Sequence, residues 1–78
     1  MTQQSKAAYA TGTPVRILIR AGYVETGRGE TATSFLGSLE PGETGEYIGP
    51  HKTLADWHIV RHAKGDVPLS IGQFERAS

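Results

Sequence analysis

Three histidines lie in the second half of this sequence, at positions 51, 58 and 62, with Arg61 between the last two. A four-residue spacing such as His58 to His62 would set two imidazoles on one face of a helix, where they could share a zinc ion. On a strand the same spacing spans roughly 13 Å, while each ligand must lie about 2 Å from the metal, so a strand keeps the pair apart. Trp57, Ile59 and Val60 favour a strand. His51 belongs to another segment, and two histidines without a cysteine or a placed carboxylate make a poor metal centre. The expectation is surface or rim histidines that titrate near neutral pH, with no metal and no cofactor.

Other routes to chemistry are no better supplied. The chain has no cysteine, which excludes a disulfide framework, a thiolate zinc site and a cysteine nucleophile together. Gly27, Arg28 and Gly29 hint at a phosphate-cradling loop, but GRGETATS lacks the closing Gly-Lys-Ser/Thr and does not lead into a helix. Ser34, Ser38 and Ser70 stand outside any nucleophile elbow, with no histidine and carboxylate arranged to activate them. The stretch HIVRHAKG, residues 58–65, resembles the LxxVRHxx signature of histidine phosphatases, in which the Arg binds phosphate and the His is phosphorylated. That family needs a second His and another Arg from later in a much larger α/β domain, and no His follows Gly65 here. The sequence therefore reads as a non-enzyme.

Binding is the better expectation. Tyr23, Tyr47, Trp57, Phe35 and Phe74 could line a groove, although Phe35 and Trp57 are expected mainly in the core, where a small domain needs its largest side chains. Charge is uneven although its sum is zero. Glutamates dominate residues 25–46 around a single Arg28, whereas residues 51–64 hold Lys52, Arg61, Lys64 and the histidines against Asp56 alone. The contact set expected for a partner is Tyr23, Arg28, Tyr47, His51, Trp57, Arg61 and Lys64. A protein partner is the first reading. Nucleic acid, held by the basic hairpin beside an aromatic ring, is the second, although a neutral chain with three firm cations in that stretch binds phosphates weakly.

These side chains need elements to place them. Residues 14–20 alternate Val15, Ile17 and Ile19 with Arg16, Leu18 and Arg20, the period of a half-buried strand. A long loop follows over 21–30, then a strand over 31–39 with Phe35 and Leu39 inward. Pro41, Gly42 and Gly45 reverse the chain into a short strand at Tyr47 and Ile48. Residues 56–62 and 67–71 form a hairpin closed by Lys64, Gly65 and Asp66. Residues 53–56 fit either one helical turn or loop, and residues 72–74 fit a 3₁₀ turn. Residues 1–13 are polar, without periodicity, and read as a flexible N-terminal arm. Residues 14–78 read as one domain.

The succession GTPVRILI, long loop, strand, PGETGEY, WHIV, tight turn, VPLSI, FE resembles the SH3-like small barrels, including Tudor-like and KOW-like modules, over residues 12–75. The resemblance implies an all-β, five-stranded antiparallel barrel that binds peptides, nucleic acid or neighbouring subunits. Type II dihydrofolate reductases, which build one active pore from four SH3-like chains, carry a Val-Gln-Ile-Tyr strand. Val67, Pro68, Leu69 and Ser70 stand in its place here, without the Gln and Tyr. The whole reading is a protein-interaction or assembly module of the kind small phage or mobile-element proteins provide. It is expected to be cytoplasmic, off the membrane and able to form homo-oligomers. No stretch approaches the roughly 18 apolar residues of a membrane span, and the start lacks the apolar core of a signal peptide.

Overall fold

Val15 and Ile17 are wholly inaccessible, while Arg16 between them reaches outward to Glu75 at 3.0 Å. This is a strand with one face in the core. The structure, a computed structural model, describes residues 6–77, and every regular element within them is a strand. These are β1 (Pro14–Ile17), β2 (Ala21–Tyr23), β3 (Gly37–Leu39), β4 (Thr44–Pro50), β5 (Trp57–His62), β6 (Gly65–Ser70) and β7 (Phe74–Arg76). Five of them make one sheet in the order β6-β5-β4-β1-β7, and β2 and β3 make a second. All pairings are antiparallel.

The all-β class is as expected, but the chain does not close into a five-stranded barrel. The end strands β6 and β7 stay unpaired with each other, and β6 turns its outer edge to the smaller hairpin instead. Val24 N donates to Asp66 O at 2.8 Å and Asp66 N to Val24 O at 2.9 Å, one bridge that joins the two sheets. Gly65 makes this approach possible, because a Cβ there would run into the Val24 carbonyl.

The space between the sheets is filled by Val15, Ile17, Ala21, Leu39, Tyr47, Val60, Val67, Leu69 and Phe74. Several expectations shift around this core. β1 ends at Ile17 because Leu18 N leaves the ladder for Gln73 O at 2.9 Å, so Ile19 lies at the surface. β4 is longer than expected and takes a bulge between Tyr47 and Gly49. The hairpin turn is Ala63–Lys64, since His62 pairs with Gly65 and places Gly65 and Asp66 inside β6. Residues 53–56 form turns, with Asp56 in the left-handed region at φ 66°.

Phe35 is the largest departure. It was expected inward but is 63% exposed, because residues 31–36 are loop and β3 begins only at Gly37. Its ring lies flat on Gly22, where a Cβ would come within 2.6 Å of Phe35 Cδ1.

The described part of the expected arm is docked. Tyr9 sets its edge against Tyr47 at 5.8 Å, and Gly12 N donates to Tyr47 O at 2.7 Å. An aromatic residue and a run of backbone donors give this polar stretch something to bury and to bond. The rest of the expected arm, residues 1–5, lies outside the described residues.

Candidate interaction groove

Two loops wall an apolar depression on the surface. The first, between β2 and β3, is held down by Asp66. Asp66 is 2% exposed, and its carboxylate accepts Arg61 Nε at 2.9 Å, Arg61 Nη2 at 3.2 Å and Gly27 N at 3.0 Å. That pairing holds Arg61 still more firmly in its charged form, chiefly through the hydrogen bonds. The second loop, between β4 and β5, is shaped by His51. This residue is buried, and its Nδ1 accepts Thr53 N at 3.2 Å and Leu54 N at 3.1 Å, closing a tight turn.

Between these walls, Trp57 at the start of β5 and Pro68 in the middle of β6 form the floor. Phe35 rises on one side and Leu54 on the other, enclosing a trough of about 340 Å³. Phe35, Trp57 and Pro68 also border a second, smaller depression of about 220 Å³ toward Ile19 and Gln73. The three side chains thus line both depressions. Phe35 and Leu54 are both more than half exposed. Contiguous large apolar side chains on a small monomer are a feature of interaction sites.

A polar cavity of about 350 Å³ lies next to the trough and shares Gly29 and Glu30 with it. Its lining brings Lys52 and Arg61 together with Glu30 and Asp66, so its charges balance. Nothing in that set favours an anion over a cation.

The expected contact residues do not form one site. Trp57 lies in the trough, with His51 supporting its wall from beneath. Tyr47 has no accessible surface and belongs to the core, because β4 faces it inward against Phe74 and His58. Tyr23 packs half-buried on the core cluster with its ring against Gly37. Arg28 is at an exposed loop tip, 3.8 Å from Glu25. Arg61 serves Asp66, and Lys64 sits in the hairpin turn. A six-residue strand puts that turn roughly 17 Å or more from Trp57.

The histidines also differ from expectation. His51 and His58 are buried, each with a ring nitrogen in use, and His62 Nε2 meets Glu43 at 2.9 Å. No cluster of three or more His, Asp or Glu able to hold a metal occurs among the described residues. Of the basic stretch, Arg61 is paired with Asp66 and borders the polar cavity with Lys52, while Lys64 lies apart in the hairpin turn; outside it, Arg16, Arg20 and Arg28 are each paired with a carboxylate.

Phe35 is one of the aromatics the sequence offers for a groove, whereas Leu54 and Pro68 are site residues that sequence reasoning misses. The available signal is a large apolar residue within a polar, turn-rich segment, Leu54 in HKTLAD and the Phe35–Leu36 pair in TATSFLG. Compared with known proteins, the chain matches no family model, no curated protein sequence and no solved structure.

Proposed function

We propose that this chain is a non-enzymatic protein-interaction module that takes a short, extended apolar segment of a partner protein across Phe35, Leu54, Trp57 and Pro68. The observation that carries the reading is an exposed aromatic trough whose two walls are fixed by buried polar anchors, Asp66 and His51. A preformed trough spares the partner the cost of ordering it.

The kind of segment follows from β6. Asp66 N and O both point outward to Val24, and alternation along a strand makes residues 68 and 70 face the same way. Pro68 has no N–H, and Ser70 N donates to Gln73 Oε1 at 3.0 Å. The rim beside the trough therefore offers no spare amide, and a partner cannot dock there by adding a strand. It must be recognised through side chains against rings, the mode in which proline-containing segments bind aromatic grooves. The strand succession, with its long excursion between β1 and β4 and tight β5–β6 hairpin, is in keeping with the SH3-like likeness drawn from the sequence. A nucleic-acid role lacks comparable support, given that most of the arginines are already paired.

The test is selection of peptides from a display library on the wild-type protein, followed by amide NMR mapping. Peptides that shift the trough residues and lose tenfold or more in affinity on Trp57→Ala support the reading. Peptides that bind Trp57→Ala equally well, or a selection that yields none, would sink it.

A further inference from the structure

A second feature, on another part of the core, concerns how residues 8–13 are held. Tyr47 Oη lies 2.7 Å from His58 Nδ1 and accepts Ala8 N at 3.0 Å. Ala8 N–H can only donate to this oxygen, so Nδ1 is the acceptor within reach of the hydroxyl's own proton; taking it leaves His58 neutral with its proton on Nε2. The three groups form a chain running from the N-terminal segment through β4 into β5.

We infer that residues 8–13 are a strap over the core that acidification releases, because a proton on His58 Nδ1 breaks the hydrogen-bond chain that ends at Ala8. A protonated Nδ1 becomes a donor facing the hydroxyl proton. Tyr47 Oη must then accept from His58, and its own proton loses its acceptor at Nδ1 while competing with the Ala8 amide for room around the oxygen. The charge would also lie among apolar surfaces. Phe74 on β7 stacks edgewise on the imidazole at 5.6 Å, Leu69 on β6 is its register partner, and Tyr9 of the strap closes over Phe74 at 6.2 Å.

The groups facing His58 are the Tyr47 phenol from β4, the Phe74 ring from β7, Leu69 from β6 and, from the loop ahead of β5, the Asp56 carboxylate. Burial pushes the imidazole below its ordinary range, and Asp56 opposes this more weakly. Opening the strap would let water reach the charge. Its remaining ties are few: Thr11 Oγ1 to Ile48 O, the Gly12 and Thr13 backbone bonds to Tyr47, and the edge of Tyr9. Segments held so sparingly open well before the sheet does. Release would uncover the Tyr47, His58 and Phe74 surface, a face separate from the Phe35 trough.

The experiment is a pH titration from 7.5 to 5 by NMR on the full chain, following the His58 ring carbon, the strap amides and the core amides together. Ala8 and Tyr9 should lose tenfold or more of their exchange protection, corrected for the intrinsic pH effect, with the same midpoint as His58. Val60 and Val67 should keep theirs. His58→Gln, which still offers the hydroxyl an acceptor, should remove the step; if that variant does not fold, the wild-type midpoints decide. Strap amides that open together with the core, that follow a midpoint other than that of His58, or that still show the step in a folded His58→Gln would overturn the inference.

Discussion

Arg61 and Asp66 face each other as register partners across the β5–β6 hairpin, with both oxygens of the buried carboxylate bonded to the guanidinium, Nε–Oδ1 at 2.9 Å and Nη2–Oδ2 at 3.2 Å. The pair is asymmetric. The Asp66 side chain is 3% exposed and that of Arg61 43%, so the aspartate depends on the arginine far more than the reverse. Arg61→Ala leaves a buried carboxylate that keeps, among the described residues, the Gly27 N–H as its donor. The expected cost is about 2–3 kcal/mol, below the value for a fully buried pair because water already reaches Arg61. Urea denaturation of Arg61→Ala beside Arg61→Lys measures it, and a loss under about 0.5 kcal/mol would refute the asymmetry.

Tyr47 and Phe35 should behave in opposite ways. Tyr47→Ala empties the centre of the core and is expected to cost about 3–5 kcal/mol, enough to unfold much of a domain this small. Phe35→Ala should change stability by under about 1 kcal/mol, since the ring is largely exposed and rests on Gly22. Its effect should fall on partner affinity, a tenfold or greater loss. Thermal unfolding combined with peptide titration separates the two.

Gly65→Ala probes the join between the sheets. The added methyl meets the Val24 carbonyl, so the single Val24–Asp66 bridge must lengthen or break. Hydrogen exchange should show the Val24 amide deprotected while Val15 and Val60 remain slow.

Glu43 predicts an acid-side slope. The Glu40 N–H donated to its carboxylate, with smaller help from His62, holds it below the usual carboxylate range. The unfolded chain then takes up the proton first, so this contribution is complete above the ordinary glutamate range and lost as pH falls through the depressed value. Denaturation midpoints between pH 5 and pH 3 should fall less steeply in Glu43→Gln than in wild type.

What could be read in advance followed from periodicity and turn chemistry. Val15 and Ile17 alternate cleanly, Pro41-Gly42 reverses the chain, and the β5 and β6 segments are rich in β-formers, so strands and all-β class were legible. Sheet pairing was less so. The outer edge of β6 meets Val24 rather than β7, and this depends on Gly65 leaving room for a carbonyl distant in sequence. The groove was the least legible part. Phe35 looks like a core residue by type, and only the loop around it, pinned through Gly27 to Asp66, turns it outward. Tyr47 looks like a contact beside a glycine-rich turn, yet the inward pleat of β4 and the docking of Tyr9 bury it.

The edge of β6 has a further consequence for self-templating. A strand is copied onto a sheet by its outward amides, and on β6 those are consumed by Val24, missing at Pro68 and occupied by Gln73. Fibrillar growth by edge addition is closed on that side. Among the described strands it is left the three-residue β7, where Glu75 and Arg76 would have to be stacked on their own copies, and the equally short β3 of the second sheet. Crowded at high concentration, the folded chain has little edge on which to polymerise.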